Sequence, residues 1–541
     1  MHEPGPLSRG RQGGARSTRQ AGSVNTRLEY GPLPAMLTVM ANSPSRRDIV
    51  RAGAAGAALA AAGQPLRAQA ARRPNVLFVI ADDWGHGHAG AYGCNWIKTP
   101  HFDSVAREGV LFSNTFTSNP KCSPCRATIL TGRNSWQLKE AINHFSIFPN
   151  DFAVYPDLLE KAGYFVGLTG KGWGPGDFTS TGFAHNPAGR EYRKHTLKPP
   201  ANGIAPLDYA ANFADFLSQK PKDKPFCFWL GGQEPHRRYE PGSGVRAGKR
   251  TEDVTLPAYY PDNRIIRSDM LDYAVEVEWF DQHLGRALRT LEETGELDNT
   301  FVVVTSDHGM PFPRVKGQIY EHGFHIPLAV RWGANIKGGR VIEDFINTRD
   351  FAPTFMELAG LKPAGSMTGR SFLDVLQSGK SGTVDAARNV MLVAKERHDL
   401  GRPNDKGYPV RAIRTPDYLY IRNYDPDAWP AGNPETGYRN VDDSPTKDFL
   451  LSGFDEYYRL AFGKRPAEHL YLVKTDSDNV KDVARDVKYA LVKRQLRDRM
   501  EEMLRGEGDP RMLGRADFFD TIQYTGPRKH AYDEWLKFNK P

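Results

Sequence analysis

Four apolar runs in this chain each deliver ionisable side chains just past their ends, and this pattern restricts the fold more than any other feature. Asn75-Val76-Leu77-Phe78-Val79-Ile80 leads into Ala81-Asp82-Asp83, and Phe165-Val166-Gly167-Leu168 into Thr169-Gly170-Lys171. Residues 226–230 lead to Glu234-Pro235-His236, and residues 301–304 to Ser306-Asp307-His308-Gly309. Continuous β-prone runs of this length suit strands buried on both faces, as in an α/β sheet covered by helices. In such sheets ligands sit in the crevice at the C-terminal strand ends. The pattern predicts a single crevice holding Asp82, Asp83, Lys171, His236, Asp307 and His308. Helical stretches lie between the runs, at 157–162 and at 273–293. The second spaces Ala274, Val277, Phe280, Leu284, Leu288 and Leu291 at helical intervals and stops at Thr294-Gly295.

At 541 residues the chain exceeds one ordinary core. Past Gly379 the texture changes to short strands such as 418–422, a helix at 486–504 and many Pro, Gly and Asp loops. The expected division is a leader over 1–70, a catalytic domain over 71–385 and a smaller C-terminal α+β subdomain over 386–541. The net charge of +8 belongs mostly to the leader, where nine arginines face only Glu3, Glu29 and Asp48. The remainder carries 63 basic and 61 acidic residues, which argues against a nucleic-acid partner. The leader has the parts of a twin-arginine export signal: Arg46-Arg47, a weakly apolar run over 52–63, and the cleavage form Ala68-Gln69-Ala70. A periplasmic or secreted protein is expected. The 52–63 run is too short for a membrane span, and no other stretch qualifies. Four cysteines are too few for a disulfide scaffold.

Lys121-Cys122-Ser123-Pro124-Cys125-Arg126 opens a short helical-looking stretch that closes on Thr131-Gly132-Arg133. A thiol at a helix mouth beside a guanidinium has its pKa lowered and attacks anionic groups. Cys122 and Cys125 also spell C-x-x-C, a redox or half-zinc pattern, and buried cysteines are often inert packing. Three carboxylates, Asp82, Asp83 and Asp307, repel one another unless a hard divalent cation joins them. Oxygen donors favour Ca²⁺ or Mg²⁺ over zinc, with His308 a softer donor. Arg126, Lys171, His236 and Lys316 add positive or protonatable groups, which together suit a tetrahedral oxyanion such as sulfate or phosphate. Taken singly, each has a plainer reading: solvated lysines, a loop histidine, an arginine paired with an aspartate.

Cys122-Ser123-Pro124-Cys125-Arg126, followed by Leu130-Thr131-Gly132-Arg133, resembles the signature of type I sulfatases. The resemblance runs in order through Gly170-Lys171, Pro235-His236, Ser306-Asp307-His308-Gly309, Lys316, Tyr320-Glu321 and a closing segment at 466–483. Met310-Pro311-Phe312-Pro313 is most similar to the heparan N-sulfatase (sulfamidase) subgroup. The resemblance implies an alkaline-phosphatase-like fold: a large mixed β-sheet flanked by helices. It implies oxidation of Cys122 to Cα-formylglycine by a formylglycine-generating enzyme. It also implies Ca²⁺, rather than Mg²⁺, held by Asp82, Asp83, position 122, Asp307 and His308. Cys122, Arg126, Lys171, His236 and Lys316 are the implied catalytic set, with an aldehyde hydrate attacking sulfur and His236 assisting the leaving atom. The implied substrate is a sulfate ester or sulfamate on a small molecule or glycan, heparan-like N-sulfoglucosamine among them. Departures stand out. The family's Gly-Lys-x-His is here Gly170-Lys171-Gly172-Trp173, and His144 replaces the lost histidine only if the fold brings it there. Cys125 stands where many members have serine, His308 where sulfamidase has asparagine, and Lys316 where it has arginine. A phosphonate monoester or phosphodiester hydrolase of the same superfamily is the alternative, and a silent glycan-binding scaffold a further one. Loops at 178–206 and 237–261 are the expected substrate rim. Glu396, Arg397 and His398 read either as rim residues or as a solvated loop.

Overall fold

The computed structural model describes residues 72–539, apart from Phe454 and Arg528. The twin-arginine leader and its cleavage motif lie outside the described residues. Strands β1 (Asn75–Ala81), β2 (Val110–Phe116), β3 (Phe165–Gly170), β4 (Phe226–Gly231), β5 (Thr300–Ser306), β6 (His325–Arg331), β7 (Arg340–Ile342) and β8 (Ile346–Asn347) form one sheet. Their order is β8-β2-β6-β5-β1-β4-β3, with β7 also beside β2. The four apolar runs are β5-β1-β4-β3, adjacent and mutually parallel. Their C-terminal ends therefore share one edge, as the sequence pattern predicts. Strand β6 runs antiparallel to both β5 and β2, which makes the sheet mixed.

Successive side chains of a strand point to opposite faces. In β1, Leu77, Val79 and Ala81 enter one core with Phe213, Phe228 and Leu284, while Val76, Phe78 and Ile80 enter another with Ile129, Leu130 and Phe355. Neither face meets water, so the run is apolar at every position. The covering helices are α1 (Pro100–Glu108), α2 (Cys122–Thr131), α3 (Tyr155–Lys161), α4 (Tyr209–Gln219), α5 (Arg264–Glu293) and α6 (Phe351–Leu358). Helices α1, α4 and α5 cover the first face, and α2, α3 and α6 the second. Helix α5 begins nine residues before the expected 273, because Asn263 caps it by accepting the Ile265 N–H and because Ile266, Met270 and Leu271 extend its buried stripe.

A second sheet is an antiparallel meander of β9 (Met391–Lys395), β10 (Val410–Arg414), β11 (Tyr418–Asn423) and β12 (Glu468–Leu472). Helix α7 (Ala490–Gly506) lays Leu496, Met500 and Leu504 against Leu392, Ile413, Tyr420 and Leu470 of this sheet. The two sheets are tied by the Arg414–Glu321 ion pair at 2.9 Å and by the Ala394 N–H donating to the Ser118 carbonyl at 2.8 Å. Among the described residues no helix is long and apolar enough to cross a membrane.

Candidate active site

The crevice is assembled where β1, β3, β4 and β5 end. Asp82 and Asp83 follow β1 directly, and on a continuing strand they would face opposite ways. Asp83 instead adopts φ 75°, a left-handed conformation that aspartate tolerates better than most residues. The turn sends both carboxylates into the crevice. At the end of β3, Gly170 has φ 74°, and a Cβ there would lie 1.9 Å from the Gly231 carbonyl oxygen. Only glycine allows that turn, which delivers Lys171.

Helix α2 brings the cysteine motif to the same place. Cys122 is its first residue, and Pro124 sits in the first turn, where a missing N–H costs nothing. Arg126 lies one turn beyond Cys122, on the same face. All ten residues of α2 are buried. Its threonines tolerate this because their hydroxyls donate within the helix, Thr128 to the Pro124 carbonyl at 3.0 Å and Thr131 to the Ala127 carbonyl at 2.7 Å. Gly132 ends the helix at φ 65°. Cys125 packs with Ile129 and Leu130 in the core, and both motif cysteines are free thiols.

Arg126 uses four of its five N–H donors. Its Nε donates to Asp307 Oδ2 at 2.9 Å, Nη2 contacts Asp82 Oδ1 at 3.3 Å, and Nη1 donates to the Lys171 and Gly172 carbonyls at 2.7 and 3.1 Å. The guanidinium fork holds the carboxylates and the Lys171 turn together. Lys171 Nζ pairs with Asp82 Oδ2. Lys316 Nζ bridges Asp83 Oδ2 at 2.6 Å and Asp442 Oδ2 at 2.9 Å.

These pairings set the charges. Burial alone raises the Asp82 pKa, but Lys171, Arg126 and His236 outweigh it and hold the carboxyl well below its usual range. Burial raises Asp307, and the neighbouring Asp82 adds to this against the opposing charges of His308 and Arg126. Burial disfavours the charged forms of Lys171 and Lys316, yet the adjacent carboxylates keep both ammonium groups above the ordinary lysine range. The thiol departs from expectation. Burial, with Asp82 next, pushes Cys122 far up rather than down. Desolvation and the carboxylates of Asp82 and Asp307 outweigh the opposing charges of Lys171 and Lys316.

The donor set fits a hard cation. Asp82, Cys122, Asp307 and His308 each present a ligand atom within 4.8 Å of one another. Asp83 Oδ1 is buried and has no hydrogen-bond partner among the described residues, with His308 Nε2 3.1 Å away but out of alignment. His308 Nδ1 lies 3.1 Å from the Gly309 carbonyl, and Nε2 lies 3.4 Å from Cys122 Sγ and 3.1 Å from Asp83 Oδ1. A bound cation would take His308 Nε2 beside the carboxylate oxygens.

His236 Nδ1 lies 2.6 Å from the Arg237 carbonyl, and the residue lines the cleft. The cleft measures about 920 Å³ and takes in Cys122, Lys171, His236, Lys316 and His144, with Asn186, Glu191, Gly203 and Arg238 from the two expected rim loops. Trp173, standing where the family motif has histidine, is buried and donates from Nε1 to the Ser123 carbonyl at 3.0 Å, bracing the start of α2. The triplet 396–398 is neither rim nor solvated loop. Glu396 pairs with Arg411 and Arg511, Arg397 donates to the Ile522 carbonyl, and His398 Nε2 lies 2.7 Å from Asn119 Oδ1. All three are buried, because the chain leaving β9 passes under the C-terminal segment. Sequence reading missed Asp399, Asp442 and the pairing role of Lys121. Lys121 had the signal of adjacency to Cys122, whereas the two aspartates sit in aperiodic loops and acquire meaning only from distant lysines.

The sulfatase family model matches residues 74–361, more than half of the chain. A second model, described as the C-terminal part of N-sulphoglucosamine sulphohydrolase, matches 312–430. The chain is 28% identical over 445 residues to an ulvan-active sulfatase of Formosa agariphila, covering 81% of each protein. It is 30% identical over 390 residues to human N-sulphoglucosamine sulphohydrolase, covering 65% of this chain and 74% of that protein. Among solved structures, one in complex with its substrate D-glucosamine-2-N,6-O-disulfate has a TM-score of 0.57 at 22% identity, over 81% of this chain and 98% of the other. The phosphonate monoester hydrolase of Agrobacterium radiobacter has a TM-score of 0.60 at 18% identity, over 81% and 97%. Likeness at those identities shows the shared fold. The match to the sulfatase model along most of the large sheet, continued by the sulphohydrolase C-terminal model, establishes that the chain belongs to the sulfatase family.

Proposed function

We propose that this sulfatase acts on a saccharide carrying a sulfate ester or sulfamate, that Cys122 is the precursor of Cα-formylglycine, and that Ca²⁺ is its cation. The observation that carries the reading is the convergence of three buried carboxylates and three cations on the buried Cys122. Formylglycine at position 122, once formed and hydrated, would supply a hydroxyl nucleophile for sulfur and a second hydroxyl through which sulfate could be expelled. Asp82, Asp83, Asp307 and His308 are the residues to hold Ca²⁺, which supplies charge compensation for the oxygens around sulfur. Lys171 and Lys316, both ammonium groups, stabilise the negative charge that grows on the sulfuryl oxygens. His236, with Nδ1 bound to a carbonyl, presents Nε2 to protonate the leaving oxygen or nitrogen. The saccharide assignment draws on the relatives' names and on a cleft large enough for a sugar. Export through the twin-arginine leader and maturation by a formylglycine-generating enzyme complete the proposal.

The test is a parallel kcat/KM comparison of N-sulfoglucosamine, glucosamine 6-sulfate, aryl sulfate and aryl phosphonate. The reading predicts that at least one sulfated sugar exceeds the phosphonate. A preference for the phosphonate ester would establish the alternative hydrolase instead.

A further inference from the structure

Two aromatic rings on the wall of the cleft have no part in the proposed mechanism or in the hydrophobic cores. Phe145 and Tyr524 both line the cleft, and both are only half-buried. Their ring centres lie 5.3 Å apart, with the planes tilted by 48°. Neither ring joins any of the cores that hold the two sheets and their helices. The two residues come from distant parts of the chain, and hydrogen bonds bring them together. The Thr525 N–H donates to the Phe145 carbonyl at 2.7 Å, and Arg397 Nη1 donates to the Ile522 carbonyl at 2.7 Å. The segment carrying Tyr524 is thus fixed on both sides of it. Phe145 itself adopts φ 50°, a left-handed conformation that a bulky residue takes only where its surroundings enforce it.

The pair stands apart from the reacting centre. Lys121, next to Cys122, pairs with Asp399 at 2.6 Å, Asp399 Oδ1 lies 2.8 Å from His144 Nδ1, and Phe145 follows His144. Lys121, Asp399 and His144 therefore stand between Cys122 and the rings along this wall. The cleft has room for that separation. Its volume of about 920 Å³ is near the upper end of the ~300–1,000 Å³ spanned by small-molecule sites, and one sulfated sugar leaves part of it unfilled. A pyranose ring presents C–H groups on its faces and hydroxyls around its rim. Those C–H groups meet the negative face of an aromatic ring favourably, and a ring already held in place costs little entropy to order. An aromatic pair in a cleft, outside every core of the protein, suits a sugar face.

We propose that Phe145 and Tyr524 form a stacking subsite for the sugar unit next to the one that carries the scissile sulfate, which makes the preferred substrate an oligosaccharide. The assignment rests on the saccharide reading above and extends it by one ring.

Binding to the full-length Cys122→Ala protein, which forms no aldehyde, tests this without turnover. Calorimetric Kd values are measured for inorganic sulfate, N-sulfoglucosamine, glucosamine 6-sulfate and a heparan tetrasaccharide bearing both kinds of sulfate. The tetrasaccharide is expected to bind at least about fivefold more tightly than either monosaccharide. Adding Phe145→Ala or Tyr524→Leu is expected to weaken the tetrasaccharide about fivefold, the size of one aromatic contact, and to leave the monosaccharides within about twofold. Tyr524→Phe keeps the ring and is expected to bind like the parent. Equal weakening of tetrasaccharide and monosaccharides, an unchanged tetrasaccharide, or a parent that binds it no more tightly than one sugar overturns the subsite. A parent that binds sulfate but no saccharide overturns the saccharide reading as well, and so separates the two failures. If Phe145→Ala does not fold, Tyr524→Leu decides, because Tyr524 lies outside the cores and its replacement leaves them intact.

Discussion

Two cations of the cleft differ in what surrounds them, and the difference predicts different losses. Arg126 is sealed in and spends every donor direction but one on Asp307, Asp82 and two carbonyls. Replacing it leaves buried carboxylates uncompensated, so Arg126→Ala is expected to destabilise the fold by about 3–5 kcal/mol. Urea unfolding measures this, and a small stability change with lost activity would instead put the guanidinium on the substrate. Lys316 lines the cleft between Asp83 and Asp442. Lys316→Ala should lower kcat by about 10²–10³, measured on the preferred sulfated sugar. A fall in Tm should accompany it, because removing the lysine leaves the buried Asp83 carboxylate without this partner.

At the scale of elements, helix α2 is held by its ends as much as by its packing. Gly132 closes it at φ 65°, where a Cβ meets Met367, Pro353 and Ala352 side chains at 3.1–3.3 Å. Gly132→Ala is expected to cost about 1–2 kcal/mol, read as a lowered urea midpoint with an unchanged m-value. The second face of the sheet depends on Phe78, whose ring meets Trp229 edge-on at 4.8 Å and Phe355 at 5.6 Å. Phe78→Ala should cost about 3–5 kcal/mol. These elements were legible in the sequence for a physical reason. A strand buried on both faces must be apolar at every position, and β1, β3, β4 and β5 announce themselves as runs whose next residues fall at one edge. Cys122 and Arg126 were legible because their spacing of four is one helical turn. Asp399 and Asp442 were not, since an aspartate in a loop reads as a turn residue until Lys121 or Lys316 is seen beside it. The upward shift of the thiol's pKa was not legible, because helix dipole and guanidinium are local in sequence, whereas burial and Asp82 come from the assembled fold.

For the whole molecule, the Glu321–Arg414 pair fastens the large sheet to the meander, and His325 adds a contact to Glu321 at 3.3 Å. Burial raises the Glu321 pKa, but Arg414 and His325 bring it down from 4.5 to about 2. The folded pKa lies below the unfolded one. Its stabilisation is therefore present above pH 4.5 and lost as pH falls toward 2, a loss on the order of 3 kcal/mol. Glu321→Gln should flatten this part of the acid-unfolding curve and lower stability at pH 7. A cation bound only by the folded protein adds about 2.7 kcal/mol at a hundredfold excess over its Kd, so Ca²⁺ should raise Tm and EGTA reverse it. Tm values indifferent to both would leave the carboxylates without that partner.

The central claim is that Cys122 becomes an aldehyde beside those carboxylates and ammonium groups. Peptide mass spectrometry across residue 122, on enzyme made with a formylglycine-generating partner and shown to desulfate a sulfated glucosamine, tests it most directly. The account predicts the thiol-to-aldehyde mass loss in the active fraction. Active enzyme carrying only the unmodified thiol would contradict it.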